Sequence, residues 1–199
     1  MDPREEHPHQ PADDPWWGEW WRFDFDSGDP ALGGVVRICL LPNQGRAWYW
    51  ASLVGAGRRP VVVHDDEVPL PRLGTLELRS EGLWADHIIE VPFEQVTVAC
   101  EAFGLRLDDP ADMDHDPILG ERIPFGLDLE WESEAGSPLD AIAPGGELAR
   151  TDTGYAVVCE VHGDVLVADE RIAIETAGHR SHGWGVVRGS SRLPIQSPR

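Results

Sequence analysis

Short stretches in which apolar and polar residues alternate run through most of this chain, with turn-forming residues between them. Between Phe125 and Trp131, for example, every second residue is large and apolar, and the residues between them include acids. Side chains two positions apart share one face of a strand, so each such stretch predicts a half-buried strand. No stretch has the spacing of a three-turn amphipathic helix. About ten short strands joined by tight turns predict an all-β fold, an antiparallel barrel or sandwich.

The strand pattern covers only part of the chain and predicts three regions. Residues 1–15 are polar and proline-rich, which predicts a disordered tail. Residues 16–187 form the antiparallel β domain, and residues 188–199 an irregular C-terminal tail. The four tryptophans within Trp16–Trp21 would expose a large apolar patch in water, so this segment must pack on the domain or on a partner. It could close one end of the core or form a platform on which a ligand stacks.

Composition narrows the partners and the chemistry. The 199 residues are 41% hydrophobic, enough for a packed core, and the formal net charge is −20. That charge repels nucleic acid and anionic membranes, so we expect neither as a partner. All 16 basic residues are arginine. Without lysine the chain cannot form a Schiff base, anchor pyridoxal phosphate or build a phosphate-binding loop, and it lacks the dinucleotide glycine motif, so we expect no cofactor.

Cysteine usage and the N-terminal sequence predict the compartment. Cys39, Cys100 and Cys159 lie far apart inside apolar strand patterns and form no Cys-x-x-Cys pair, which predicts buried free thiols in a reducing cytoplasm. The first residues contain no apolar leader, and no run is long enough to span a membrane. We therefore expect a cytoplasmic protein without a membrane span.

The most unusual chemistry lies in the stretch Gly-His-Arg-Ser-His-Gly-Trp-Gly at 178–185. In an extended strand Arg180, His182 and Trp184 share one face, whereas His179 points to the other. The two histidines therefore diverge, and since a metal ion needs three or four converging ligands, we expect no metal here. Two interpretations stay open, a glycine-flexed strand with a buried tryptophan and the rim of a ligand pocket.

Ionisable residues on apolar strands supply candidates for acid–base catalysis, which needs an acid in an apolar cavity. Glu160 and His162 share one face of a strand, whereas Asp86 and His87 point to opposite faces and cannot form a direct pair. A structural polar pair is the alternative for each candidate. We predict the following catalytic residues: Glu160, His162, His182 and Asp86. We predict the following ligand-binding residues: Trp48, Trp50, Trp84, His87, Arg180 and Trp184.

Three segments carry a resemblance to a known superfamily. They are Arg-Ala-Trp-Tyr-Trp-Ala at 46–51, the strand 155–163 that ends in Cys-Glu-Val-His-Gly, and the stretch 178–185, where the relatives tend to carry a Gly-x-Arg-x-x-Trp-Gly signature. On these motifs the chain resembles carotenoid 1,2-hydratase (hydroxyneurosporene synthase) and its AttH-like and actinobacterial relatives. The resemblance implies two successive lipocalin-like β domains. The relatives continue after the Trp-Gly, so the barrel here could be incomplete at its C-terminus, with an open sheet edge for self-association.

Three functional hypotheses follow from the pattern and the resemblance. The first is an enzyme that hydrates, isomerises or cyclises a hydrophobic isoprenoid- or polyketide-like small molecule by proton transfer. The second is a carrier that binds such a molecule without chemistry. The third is a truncated chain with no activity of its own. An interior that contains a buried carboxylate favours the enzyme, whereas a wholly apolar interior favours the carrier.

Overall fold

The computed structural model describes residues 2–28, 31–115, 117–135, 137, 140–141 and 153–186. In these ranges the chain forms strands and three short 3₁₀ turns, at Pro3–Glu6, Pro42–Gln44 and Pro110–Asp114. The strands are β1 (Trp17–Gly28), β2 (Ala31–Leu41), β3 (Arg46–Gly55), β4 (Val61–Pro69), β5 (Leu78–Ser80), β6 (Leu83–Val91), β7 (Gln95–Arg106), β8 (Glu121–Glu132), β9 (Asp140–Ala141), β10 (Thr153–Val167) and β11 (Glu170–Val186). Within the described ranges, no helix has the length and apolar character that crossing a bilayer requires.

The strands form one antiparallel sheet that closes on itself. Its hydrogen-bonded order is β4-β3-β2-β1-β11-β10-β8-β7-β6-β5, and β4 also pairs with β7. This last pairing joins Val61 to Arg106 and Val62 to Leu105, and it completes a ring through β1, β2, β3, β4, β7, β8, β10 and β11. The prediction of an antiparallel all-β barrel is therefore confirmed.

The final described strand has a partner on each side. β11 pairs with β1 over ten residue pairs, from Trp17 opposite Val186 to Asp26 opposite Ala177, and with β10 on its other edge. The prediction of an open sheet edge is thus wrong for β11, because β1 supplies the neighbour that a truncated sheet would lack. The predicted tail at 188–199 lies outside the described residues.

Inward-facing side chains of successive strands meet in level rows. Trp21 of β1 lies opposite Ile38 of β2, which lies opposite Tyr49 of β3. In the other direction Trp21 lies opposite His182 of β11, which lies opposite Tyr155 of β10. All five are almost fully buried. Strand alternation alone therefore sends a histidine and two hydroxyl-bearing rings into an apolar interior.

Candidate functional site

Glu19 is an acid on the inner, apolar face of β1. Trp17, Trp21 and Phe23 share that face, and all four side chains are buried. Pairing with β11 places His182 opposite Trp21, and the imidazole stacks on the indole with ring centroids 4.4 Å apart. A carboxylate and an imidazole, each with 1% of its side chain exposed, thereby meet inside the barrel.

One oxygen of Glu19 lies between two imidazoles. His182 Nε2 is 2.7 Å from Glu19 Oε1, and His9 Nδ1 is 2.6 Å from the same oxygen. The backbone N–H of His9 donates to the other carboxylate oxygen at 2.9 Å. On its far side, His9 Nε2 lies 3.2 Å from Glu5 Oε2, at the edge of the solvent. The hydrogen-bonded groups therefore run from the surface to the buried carboxylate.

The carboxylate fixes where the protons of His182 sit. An ionised carboxylate only accepts hydrogen bonds, so the His182 nitrogen that faces Glu19 must carry a hydrogen. In neutral His182 the other nitrogen, Nδ1, is then a free acceptor. Tyr155 OH lies 3.4 Å from Nδ1, close enough to donate to it weakly. His182 is thus held as a base whose acceptor nitrogen points at a phenol.

The environment shifts the pKa values of the two imidazoles in opposite directions. Burial lowers the pKa of His182, and the Glu19 hydrogen bond only partly opposes this. Burial also disfavours the charged form of His9, but hydrogen bonds to Glu19 and Glu5 outweigh it and raise the pKa of His9. Burial alone would raise the pKa of Glu19, yet the hydrogen bonds from His182 and His9 lower it. Because the pKa of His9 is raised and that of His182 is lowered, one site contains both an acid, His9, and a base, His182.

Aromatic rings enclose the outer imidazole. His9 stacks on Trp184 of β11, with ring centroids 4.0 Å apart and an angle of 18° between the planes. A protonated imidazole over an indole face gains a cation–π interaction. Tyr155 meets His182 edge-on at 5.6 Å. Rings therefore flank both imidazoles, and the hydrogen bond from His9 to Glu5 leads from the group to partly exposed side chains.

A buried ion pair lies beside this group. Arg180 of β11 forms an ion pair with Glu6, and only 3% of the Arg180 side chain and 2% of the Glu6 side chain are exposed. The backbone N–H of Phe93, in the turn after β6, donates to the other oxygen of Glu6 at 2.9 Å. Arg180 Nε and Nη2 are buried and make no hydrogen bond within the described residues. The expectation that residues 1–15 form a disordered tail therefore fails at Glu6, which the barrel buries.

His87 is a further ionisable residue inside the barrel, separate from the Glu19 group and from the Glu6–Arg180 ion pair. Its ring lies 5.6 Å from that of Phe23 and 6.0 Å from that of Tyr49. Neither ring nitrogen makes a hydrogen bond of good geometry among the described residues, although the backbone of Leu76 lies near the ring. Burial lowers the pKa of His87 to about 3, so the ring is neutral at physiological pH.

The site could in principle hold a metal ion, since the ligand atoms of His9, Glu19 and His182 lie within 4.8 Å of one another. Both imidazole N–H groups, however, aim at Glu19 Oε1 itself. Metal–nitrogen bonds of about 2.1 Å would put the ion almost where that oxygen lies, so the carboxylate would have to move. The described geometry fits a hydrogen-bonded triad better than a metal centre.

The profile of a family described as a domain of unknown function (DUF7064) matches residues 2–193. The chain belongs to the DUF7064 family. No curated protein matches it significantly. The matched range starts before Glu6 and His9, so the N-terminal segment and the strands it contacts fall within one family unit.

Three of the predicted catalytic residues of this DUF7064 chain lie outside the barrel. Glu160 is exposed, and His162 lies 3.3 Å from Glu130 on the outer surface, with 44% of its side chain exposed. Asp86 is half-buried, and its pKa is raised by partial burial and by nearby Glu77. Glu160 and His162 thus lie on the outer face of β10, away from the interior, and His162 lies beside Glu130.

The tryptophans that we expected to line the interior lie outside as well. Trp48 packs in an outer cluster with Trp20, and Trp50 packs on Met113 and on neighbouring residues of the segment after β7. These two residues were predicted to bind a ligand, but β3 turns Ala47, Tyr49 and Ala51 into the core instead. Trp84 also lies outside, where its indole N–H donates to Glu77 at 3.2 Å.

The predicted face of β11 is confirmed. Arg180 and His182 are buried in the interior, Trp184 packs on the core, and His179 lies outside with 61% of its side chain exposed. Sequence reasoning missed the acids that partner these residues. Glu19 could have been found, because it interrupts the apolar face of Trp17, Trp21 and Phe23. Glu6 and His9 carry no strand pattern, so no periodic signal marked them.

Proposed function

We propose that this DUF7064 chain binds a largely apolar small molecule inside its barrel and transfers a proton to or from it. The observation that carries the proposal is Glu19 between His9 and His182, beside a core formed mainly by apolar side chains. A carrier has no use for a buried acid–base group, which costs free energy to desolvate. General acid–base catalysis needs such a buried group, with members whose pKa values differ.

The geometry supports a proton relay through Tyr155. Burial raises the pKa of the Tyr155 hydroxyl, which keeps it protonated in the resting site. A ligand C–H or O–H bond would break as its proton passes to the Tyr155 oxygen, while the Tyr155 proton passes to His182 Nδ1. Ionised Glu19 stabilises the imidazolium that results. Return of the proton to another ligand atom completes an isomerisation. Addition or cyclisation would use the relay in reverse, with protonated His182 giving its Nδ1 proton to Tyr155 as Tyr155 gives its own proton to the ligand.

The superfamily resemblance supplies the substrate class within this proposal. It implies isoprenoid- or polyketide-like molecules, and the buried aliphatic and aromatic side chains suit such bodies. The relation to carotenoid 1,2-hydratase stays a hypothesis beside the DUF7064 membership. Hydration and cyclisation begin with a proton added to the ligand and isomerisation moves a proton between ligand atoms, so one assay of proton exchange covers all three.

Deuterium exchange tests the proposal without knowledge of the net reaction. Isoprenoid polyenes and polyketide-like enones are incubated with the protein in D₂O, and mass spectrometry detects ligands that gain deuterium. We expect exchange with the wild type and a loss of at least ~100-fold in Glu19→Gln and in His182→Gln, which can still donate to Glu19 but is a poor base. His162→Gln, on the outer surface, is the matched control.

A second candidate is a carrier that binds the same molecules without chemistry. The observation in its favour is the neutral interior around His87, whose lowered pKa keeps charge out of that region. Ligand binding seen by tryptophan fluorescence, with no deuterium gained by any ligand that binds, would establish the carrier and contradict proton transfer. Exchange that persists unchanged in Glu19→Gln would also contradict the proposed mechanism.

A further inference from the structure

We infer that Arg180 is a binding site for the carboxylate of an apolar acid, and that Glu6 occupies this site as an internal substitute. The inference rests on the proposed function, because it takes the barrel to bind apolar molecules. It adds the chemical class of the ligand, an apolar body that ends in a carboxylate. It also gives the N-terminal segment a role as a competitor for the site.

Arg180 points into the barrel without an acid from the strands to neutralise it. Within the described part of the chain, Glu6 is the only acid that forms an ion pair with Arg180, and it comes from the 3₁₀ turn at Pro3–Glu6. A buried guanidinium without a counter-ion is strongly unfavourable. The strands thus bury a cation, and a separate segment supplies the anion that neutralises it.

The groups around Glu6 are those that would receive a ligand carboxylate. The Phe93 N–H donates to one oxygen and Arg180 Nη1 to the other, and the Tyr155 hydroxyl lies close enough to influence both charges. Among the residues that the structure describes, nothing accepts a hydrogen bond from Arg180 Nε or Nη2. A guanidinium can bind a carboxylate through two parallel N–H groups, so a free acid could make more hydrogen bonds to Arg180 than Glu6 makes.

The segment that carries Glu6 is held mainly by polar contacts. Among residues 2–16 only Glu6 is buried. Its other contacts include His9 with Glu19 and Trp184, and the side-chain amides of Asn43 and Gln44 with the carbonyls of Ala12, Asp14 and Pro15. Since no apolar side chain of residues 2–16 is buried, the hold of this segment on the barrel depends mainly on polar contacts, and a ligand carboxylate could replace those that Glu6 makes.

The test compares decanoate with decan-1-ol, which share a chain length and differ in charge. Binding of each to the full-length protein is measured by titration calorimetry, for the wild type and for Glu6→Gln. We expect Glu6→Gln to bind decanoate at least ~10-fold more tightly, a gain of about 1.4 kcal/mol, and decan-1-ol unchanged. Asp13→Asn, which removes one negative charge from the same segment without a described contact, should change neither affinity.

Each outcome decides the matter. An unchanged decanoate affinity in Glu6→Gln, or an equal gain for decan-1-ol, overturns the inference. If decan-1-ol binds while Glu6→Gln has no effect on decanoate, only the inference fails and the apolar barrel stands. If neither probe binds either protein, the inference and the proposed apolar binding fail together. Circular dichroism shows whether Glu6→Gln remains folded, and Arg180→Met, where folded, should lose decanoate binding and keep decan-1-ol binding.

Discussion

Glu6 and Arg180 lie 174 positions apart in the sequence and form an ion pair that solvent does not reach. One member precedes the first strand and the other belongs to the last described strand. The pair therefore joins a segment without a strand pattern to the interior of the barrel. Because burial makes each charge dependent on the other, the pair should be visible in stability measurements.

Arg180→Met should lower the free energy of unfolding by about 3 kcal/mol, because it leaves the carboxylate of Glu6 without its partner. The measurement is equilibrium unfolding in urea. The matched control is Arg58→Met, which removes an exposed ion pair with Glu170 and should cost less than about 1 kcal/mol.

A double variant separates the pair from the packing of its side chains. Glu6→Met with Arg180→Met replaces both charges by apolar groups, so it should lose less stability than Arg180→Met alone. Equal losses for Arg180→Met and Arg58→Met would mean that the ion pair is not buried in solution.

Acidification should destabilise the fold through His87. The folded ring resists protonation down to a pKa of about 3, whereas the unfolded ring takes up a proton near pH 6.5. Below pH 6.5 the unfolded state thus binds more protons, so stability falls as the pH falls. Between pH 6.5 and pH 5 this single group should cost about 2 kcal/mol.

His87→Leu should remove that part of the pH dependence. Urea unfolding of the wild type and of His87→Leu at pH 7.5, 6.5 and 5 gives the difference directly. His64→Leu, at an exposed position on β4, serves as the control. A wild type and a His87→Leu variant with parallel stability curves would contradict the burial of a neutral imidazole at this position.

The pKa of His9 should depend on Glu19 more than on Glu5, since both the distance and the burial favour Glu19. NMR titration of the imidazole signals should show a raised pKa for His9 in the wild type. Glu19→Gln should lower it by more than Glu5→Gln does. Because the folded pKa is raised, His9 stabilises the fold below pH 6.5 and loses this contribution as the pH rises through its folded value.

Gly178→Ala should disrupt the pairing of β1 with β11. A Cβ atom at position 178 would lie 2.2 Å from the carbonyl oxygen of Asp24 and 2.7 Å from a methyl carbon of Val161, so the strands must separate. We expect a loss of about 3 kcal/mol in thermal or urea unfolding. Gly45→Ala is the comparison, because its φ is +73° but nothing lies within 4 Å, and it should cost about 1 kcal/mol.

The sequence predicted the fold because strand alternation is a local signal. The alternation between Phe125 and Trp131 became the inner face of β8, and the face shared by Arg180, His182 and Trp184 was placed correctly on β11. Each of these predictions needs only the period of two that a pleated strand imposes. Closure of the ring through β4 and β7 depends on two residue pairs and left no such pattern.

The candidate site could be predicted only in part, since its members come from distant segments. His182 was recognised, but its partners Glu19 and His9 approach it from β1 and from the N-terminal segment. The sequence predicted Trp48 and Trp50 of β3 as ligand-binding residues, because both faces of that strand are largely apolar and the pattern does not decide between them. In the structure β3 turns Ala47, Tyr49 and Ala51 inward, where they pack in the core with Trp21 and Trp131.

The pairing of β1 with β11 determines when the barrel can close during synthesis. The barrel cannot close before the ribosome has released the strand that ends at Val186. Until then the apolar side chains of the earlier strands remain exposed to solvent in the nascent chain. Folding of this kind has a high contact order and proceeds slowly. Until β11 has been synthesised Glu19 lacks its partner His182, so the acid–base group can assemble only after β11 is available.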